Sequence, residues 1–213
     1  MFFSIDVECV AVGTDHNARS VAQISLVNQF EQVLLNLYVR QEAHVVSYLT
    51  PLTGLSKEIL DTQGIPLSHA LHLLRTMLPK DAILVGQNIS KDVEWLGLKY
   101  GQDFQELKDL TGLFRVLNPK YNSYSVFSQD HLVKTLLNWD VSGNHDAVGD
   151  AIKSIRLYHL YLQSQNQPGL WDELCRKLLE STPEPSFAKL HPTYEGVCMG
   201  NRKTCSCGAP FFG

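Results

Sequence analysis

The first stretch of the chain constrains the fold most, because an apolar run there carries two acids. Residues 2–10, FFSIDVECV, are typical of a buried strand. Asp6 and Glu8 are two positions apart, and side chains two apart on a strand project from the same face. Neighbouring carboxylates repel each other unless a cation lies between them, and hard divalent cations such as Mg²⁺ prefer such oxygen ligands. The alternative is a strand end in water with two solvated acids.

The composition indicates a soluble globular protein. The chain has 213 residues, enough for one ordinary domain plus an appendage, with 44% hydrophobic and 19% charged residues. A net charge of −4 gives no strong basic field for nucleic acid. Three of the five cysteines lie close to the end of the chain, which favours a reducing, intracellular compartment over a disulfide framework. No stretch is long enough to cross a bilayer, and acids interrupt the first apolar run, so we expect neither a membrane partner nor a signal peptide.

Hydrophobic periodicity predicts an α/β protein. Strands are expected over residues 2–10, 20–28, 32–40, 82–85 and 104–110, and short turns make the first three an antiparallel meander. Helices are expected over residues 66–78, 90–98, 129–139, 145–162 and 170–179, while residues 121–128 are expected to be a loop. Strands followed by alternating helices and strands predict a mixed five-stranded sheet flanked by helices.

The main domain is expected to span residues 1–166, because an Asn-Gln-Pro-Gly break follows it. Residues 167–213 would then hold one more helix and a small irregular C-terminal extension. Four prolines disfavour regular structure in that extension, namely Pro183, Pro185, Pro192 and Pro210.

Two further acids occupy informative positions. Asp92 follows a predicted strand and turn, in the first turn of a helix, where the helix dipole favours a carboxylate at the carboxyl end of the sheet. Asp150 lies five residues after His145. An ideal helix would place these two about 140° apart, so they converge only if His145 lies on the loop before the helix. The alternatives are an ordinary helix-start aspartate and a solvent-exposed histidine.

Three segments, in order, resemble the motifs of the DEDDh exonucleases of the DnaQ-like, ribonuclease-H-like superfamily. Residues 3–13 (FSIDVECVAVG), 84–92 (LVGQNISKD) and 145–151 (HDAVGDA) look like its first, second and third motifs. Residues 22–28 (AQISLVN) and 48–55 (YLTPLTGL) are similar to the RNA exonuclease 4 and interferon-stimulated exonuclease branch. The match runs over roughly residues 2–163.

The chain departs from the family pattern in places. Cys9 stands where that branch usually has Met, and Gln87 stands where His is common. Both departures bear on the preference for sugar and base. The tyrosine subclass is disfavoured, because residue 146 is Asp.

The resemblance implies a ribonuclease-H-like fold and removal of nucleotides from the 3′ end of single-stranded RNA by two-metal-ion hydrolysis. Asp6, Glu8, Asp92 and Asp150 would bind two Mg²⁺ or Mn²⁺ ions, and His145 would be the general base, with an ordinary pKa of about 6.5. Substrate contacts are expected from backbone groups at Glu8, Cys9, Val10 and Ala11, and also at Leu55 and Asn88. Leu55 and Trp95 are candidate apolar walls for bases, although a core position is favoured for Trp95. The alternatives are the same enzyme acting on single-stranded DNA and a non-catalytic nucleic-acid-binding module.

The C-terminal extension carries a possible structural zinc site. His191, Cys198, Cys205 and Cys207 supply four soft ligands of the kind that tetrahedral zinc binds. If ordered, the extension is expected to lie beside the active site and could bind a protein partner. The alternative is an unstructured tail that happens to contain cysteines.

Overall fold

A mixed five-stranded sheet forms the centre of the protein in the computed structural model, which describes residues 1–141, 143 and 145–208. Its strand order is β3-β2-β1-β4-β5. The strands are β1 (Phe2–Ala11), β2 (Arg19–Asn28), β3 (Val33–Tyr38), β4 (Ile83–Gly86) and β5 (Glu106–Asp109). β1, β2 and β3 pair antiparallel, whereas β4 pairs parallel with β1, and β5 parallel with β4. The predicted meander and mixed sheet are therefore confirmed.

Helices cover the sheet, and two small hairpins lie outside it. The helices are α1 (Thr50–Thr53), α2 (Lys57–Gln63), α3 (Leu67–Met77), α4 (Ile89–Trp95), α5 (Leu110–Leu113), α6 (Gln129–Leu137), α7 (Ala147–Asn166), α8 (Leu170–Glu180) and α9 (Phe187–Leu190). The hairpins pair β6 (Val116–Asn118) with β7 (Ser123–Ser125) and β8 (Thr193–Tyr194) with β9 (Val197–Cys198). The predicted loop over residues 121–128 thus contains β7, because its polar residues pair across a hairpin instead of following an apolar pattern.

The alternation of side chains along β1 decides what each face of the sheet does. Phe3, Ile5, Val7 and Cys9 join the largest apolar core, to which α3 also contributes. The intervening residues, including the two acids, project toward the opposite face, where α7 packs against β1, β2 and β4. The register shifts between Glu8 and Cys9, so β1 is irregular immediately beside the second acid.

The C-terminal segment packs onto the rest of the protein. α7 ends at Asn166, close to the predicted domain boundary, which stays a prediction. Leu178 of α8 lies in the same core cluster as Phe114 and Leu132, because one face of this amphipathic helix is apolar. Short elements, α9 and the β8–β9 hairpin, occur where the prolines predicted irregular chain. Within the described residues, no helix is long and apolar enough to cross a membrane.

Candidate active site

Three elements bring four carboxyl groups together at one edge of the sheet. β1 contributes Asp6 and Glu8, while Asp92 and Asp150 lie in the first turns of α4 and α7 and are each 7% exposed. α4 begins at the end of β4 through Asn88, whose φ of 55° is left-handed. Both helices pack against β1. The structure therefore brings together the four acids that the sequence motifs single out.

Burial at a shared location raises the proton affinity of Asp6, Glu8 and Asp92. Burial raises the pKa of Asp6 well above its ordinary value, and the charges of Asp92, Asp150 and Glu8 raise it further. Burial likewise raises the pKa of Glu8 to about 8, with Asp150 the next cause. Asp92 also has a pKa of about 8, mainly through burial, although backbone N–H groups oppose the shift. Without a metal ion, protonation of Asp6, Glu8 and Asp92 is favoured, and divalent cations would replace those protons.

His145 lies on the loop before α7, as the five-residue spacing requires. Its backbone N–H donates to Leu52 O at 2.9 Å, which fixes the loop. Its Nδ1 lies 2.8 Å from Asp150 Oδ2, and its Nε2 lies 3.2 Å from Asp130 Oδ2. Ligand atoms of Glu8, His145 and Asp150 all lie within 4.8 Å of one another.

The protonation state of His145 differs from the sequence expectation. Hydrogen bonds to Asp130 and then Asp150 raise the pKa of His145 to about 10, whereas an unperturbed pKa near 6.5 was expected. The imidazolium donates to two carboxylates, so neither nitrogen can accept a proton in this arrangement. The sequence could not show this, because Asp130 belongs to a separate helix.

Two charged residues of the site lie outside the motifs. The Lys153 ammonium lies 2.8 Å from Asp150 Oδ1 and 3.1 Å from Asp130 Oδ1, and the residue is only 9% exposed. Burial alone would raise the pKa of Asp130, but contacts with His145 and Lys153 lower it to about 2. One signal was present in the sequence, since Lys153 lies one helical turn after Asp150 on the same face.

Polar contacts from β2 and α6 fix the start of α7. Gln23 Nε2 donates to Asp146 Oδ1 at 2.8 Å, and Asp146 caps the helix by accepting from Gly149 N–H at 3.1 Å. Ser25 Oγ donates to the Ala147 carbonyl at 2.6 Å. Gln129 Nε2 of α6 donates to the carbonyl of Asp150, which lies in the first turn of α7. Buried hydrogen bonds therefore hold the part of α7 that carries Asp150.

Several predicted substrate contacts are buried. The side chains of Val10, Ala11 and Leu55 are 0%, 0% and 2% exposed, so they offer no surface to a base. The Ala11 N–H donates to the Ser47 carbonyl at 2.8 Å and is therefore used within the protein. Leu55 packs with Val10 in a small core cluster, because its loop folds back onto β1. The sugar contacts predicted from backbone groups at Val10 and Ala11 stay predictions, and the buried side chain of Leu55 leaves no apolar wall for a base at that position.

The other predicted contacts differ in exposure. Cys9 is 9% exposed and lies in the main core, where burial raises the pKa of its thiol. The Cys9 side chain joins the core face of β1, and the contact predicted from its backbone groups stays a prediction. Glu8 is half-buried, and Asn88 is exposed. Of the six positions, these two have side chains that are accessible to solvent.

A cavity of about 520 Å³ opens beside His145. It is lined by both parts of the chain, including Leu52 and Asp130 from the main domain and Ser181, Phe187 and Met199 from the C-terminal segment. The segment therefore lies beside the candidate active site, as the sequence predicted for an ordered extension.

A second depression, of about 440 Å³, lies along α4. Arg19, Lys91, Trp95 and Arg202 contribute to its lining. Trp95, which was expected in the core, is 42% exposed, because the last turn of α4 faces outward. Positive side chains and an exposed indole thus lie one turn from Asp92.

The predicted zinc ligands converge only in part. Sulfur atoms of Cys198, Cys205 and Cys207 cluster, but the histidine that joins them is His16, from the β1–β2 connection. His191 instead packs its ring 4.7 Å from the ring of Phe187, measured between centroids. The inclusion of His191 is therefore wrong, because the turn after α9 directs its ring toward the aromatic side chains of its own segment.

The fold and this cluster of acids are those of an exonuclease. The family model described as Exonuclease (RNase_T) matches residues 3–158, and the chain belongs to this family. The resemblance drawn from the three motifs is thereby confirmed. Family membership implies dependence on divalent metal ions, and carboxylate oxygens in a partly buried pocket are suitable ligands for them.

Curated relatives include RNA exonuclease 4 of Candida glabrata, 29% identical over 158 residues, covering 74% of this chain and 58% of that protein. The human interferon-stimulated 20 kDa exonuclease-like 2 is 31% identical over 163 residues, covering 74% of this chain and 44% of that protein. The chain thus spans about half the length of these relatives. Among solved structures, the catalytic unit of Neurospora crassa Pan2 superposes with a TM-score of 0.70 at 19% identity, covering 85% of this chain and 30% of that chain. That likeness confirms the predicted ribonuclease-H-like fold.

Proposed function

We propose that this chain is a metal-dependent 3′–5′ exoribonuclease that removes nucleotides from the 3′ ends of single-stranded RNA. The convergence of Asp6, Glu8, Asp92 and Asp150 beside His145 is the observation that carries the proposal. These four acids would hold two Mg²⁺ or Mn²⁺ ions. When bound, such ions would activate the attacking water and stabilise the charge on the leaving oxygen.

His145 is the proposed general base. To accept a proton, its ring must first lose a proton and release one of its two carboxylate contacts. The contact to Asp150 is the one that metal loading would weaken, because Asp150 is also a proposed metal ligand. Asp130 then holds the other nitrogen and orients the ring.

Two observations support RNA as the substrate. The relatives named above include an RNA exonuclease, and yeast Pan2, whose structure with A7 RNA has the same fold, binds RNA. The exposed Asn88 and the half-buried Glu8 lie where a terminal ribose could be contacted, and a 2′-OH can both donate and accept there. The apolar side chains of Leu52 and Phe187 in the cavity beside His145 would take the terminal base. Because the net charge is −4, the metal ions and the strand end would supply most of the affinity.

A 5′-labelled single-stranded RNA, incubated with Mg²⁺, Mn²⁺ or EDTA, tests the proposal. A ladder shortening from the 3′ end, absent with EDTA, is expected. Asp150→Asn and His145→Ala should each abolish turnover, whereas the histidine variant should keep metal binding. The matched controls are Asp172→Asn, an exposed aspartate in the first turn of α8, and His159→Ala, a surface histidine of α7.

Other outcomes would decide against specific parts of the proposal. An active His145→Ala enzyme at neutral pH would refute the base assignment. A mobility shift without cleavage would identify a binding module, and a ladder on DNA alone would identify the single-stranded DNA enzyme. RNA with a 2′-O-methyl 3′ terminus would show whether the sugar contact matters.

We further propose an intracellular setting, supported by cysteines that form no disulfide in the structure. We also propose one structural zinc ion in the C-terminal extension, supported by the convergence of three thiols there. The exposed surface of this extension is a proposed site for a protein partner. Pull-down with and without residues 181–213 would test the last point.

A further inference from the structure

We infer that His16, Cys198, Cys205 and Cys207 bind one zinc ion that fastens the C-terminal segment to the β1–β2 connection. Three of the four ligands come from the end of the chain and the fourth from a position 182 residues before Cys198, so the ion would join two parts of the fold. The arrangement differs from a zinc finger formed within the tail, since the tail alone supplies only three ligands.

The distances suit a shared cation. His16 Nδ1 lies 3.3 Å from Cys207 Sγ, Cys198 Sγ lies 3.3 Å from Cys205 Sγ, and Cys205 Sγ lies 3.2 Å from Cys207 Sγ. All four ligand atoms lie within 4.8 Å of one another. Tetrahedral zinc with bonds of about 2.3 Å to sulfur places two sulfurs about 3.8 Å apart. The cluster would therefore need to open by only about half an ångström.

The sulfur atoms are not joined in disulfides. Their separations exceed the disulfide bond length of about 2.05 Å, and none of the three cysteines belongs to a disulfide. Three thiols and an imidazole are the ligand types of a Cys₃His structural zinc site, in which every coordination position is filled by protein. A site of that kind has no open position for catalysis, so the ion would be structural.

Backbone contacts hold the two segments in the orientation that the site needs. The Cys198 N–H donates to the Thr14 carbonyl at 2.8 Å, and Arg19 Nη2 donates to the Cys198 carbonyl at 3.1 Å. Val197, beside Cys198, is fully buried in a small core cluster with Ala11. The first cysteine is thus placed by contacts that do not involve the metal.

A glycine in the tail allows the close approach to His16. Gly200 has φ of 73°, in the left-handed region, and a Cβ there would lie 3.3 Å from the His16 ring. Its N–H also lies 3.4 Å from Cys198 Sγ, a contact that would stabilise a thiolate. The turn after β9 therefore lies in close contact with the imidazole, and its N–H donates a hydrogen bond to the sulfur of Cys198.

The consequence lies next to the active site. Met199, Gly200 and Arg202, which lie between the first and second cysteines, line the depression along α4, and Met199 also lines the cavity beside His145. Without the ion, Met199, Gly200 and Arg202 would no longer be held in position beside the two cavities. The four acids of the catalytic cluster would stay in place. When a tail ligand is removed, we expect KM for RNA to rise by a larger factor than kcat falls.

Metal analysis of the full chain, purified without chelators and dialysed, tests the inference. The unaltered protein should retain about one equivalent of zinc, and His16→Ala and Cys205→Ser should each lose it. His191→Ala and Cys175→Ser are matched controls and should keep it, since His191 packs on Phe187 and Cys175 lies in α8. Asp150→Asn should also keep it, which separates this ion from the catalytic metals.

A second measurement uses the unaltered chain, so its result does not depend on whether a substituted protein folds. Metal-stripped protein titrated with Co²⁺ should show the thiolate charge-transfer and visible bands of tetrahedral cobalt, and zinc should abolish them. Octahedral cobalt bands only, a Cys198–Cys205 disulfide in zinc-free folded protein, or zinc loss in His191→Ala with retention in His16→Ala would each overturn the inference.

Discussion

Replacing Lys153 with Met tests whether this ammonium stands in for a metal ion in the resting site. Lys153 contacts both Asp150 and Asp130, and its side chain is 11% exposed. Met keeps the length and apolar stem of the side chain but removes the charge. In the metal-free variant, His145 would therefore be the remaining cationic side chain in contact with Asp150 among the residues that the structure describes.

The burial of Asp150 and Asp130 determines how much unfolding free energy the variant loses. Removing one member of a buried ion pair costs about 3–5 kcal/mol. The Asp150 side chain is 10% exposed, but that of Asp130 is 31% exposed, so water takes over part of the lost contact there. We therefore expect the lower value, about 3 kcal/mol of unfolding free energy. For a chain of this size that corresponds to a fall in Tm of about 6–12 °C.

Calorimetry in EDTA and in saturating Mg²⁺ or Mn²⁺ measures the effect. Divalent ions should compensate the acids in place of the ammonium, so the difference in Tm between Lys153→Met and the unaltered protein should fall below about 3 °C with metal. Lys177→Met is the matched control, because its ion pair with Glu173 is exposed and contributes about 0–1 kcal/mol. The same loss of Tm with and without metal would refute the reasoning, since Lys153 would then stabilise the fold irrespective of the ions.

Two further predictions concern protons at the same site. Glu8 and Asp92 have pKa values of about 8 in the folded chain, so the folded state binds more protons than the unfolded state between about pH 4.5 and pH 8. The free energy of unfolding of the metal-free protein should accordingly fall as pH rises through this window, by about 1.4 kcal/mol per pH unit for each proton. Tm should fall with it, and Mg²⁺ should flatten the dependence. Asp130→Asn removes the largest cause of the raised pKa of His145, so the acidic limb of the kcat/KM profile should move down by about one pH unit or more. An unchanged profile would exclude a link between Asp130 and the base.

The fold was predictable because its signals are local. The alternation along β1 and the short turns that follow it predict the meander, and helical periodicity predicts α6, α7 and α8 to within a few residues. The predictions of burial fail for residues whose exposure depends on elements that are distant in the sequence. Trp95 is an aromatic residue of a kind often found in cores, but it lies in the last turn of α4, which faces outward. Leu55 lies in a loop that folds into the core. Neither orientation is encoded by the neighbouring residues.

The residues of the candidate site also divide into those that the sequence predicts and those that it does not. The acids were predictable because each lies at a position that the sheet itself defines, either on β1 or at the start of a helix. The residues that compensate them were less predictable, because Asp130 carries no motif and the signal for Lys153 is limited to its spacing of one helical turn from Asp150. His16, the proposed fourth zinc ligand, is the same case, since three cysteines in a zinc-binding tail would place no constraint on where in the chain the fourth ligand lies. We therefore expect charge-compensating and metal-completing residues in such folds to be found by geometry, even where sequence identifies the reacting groups.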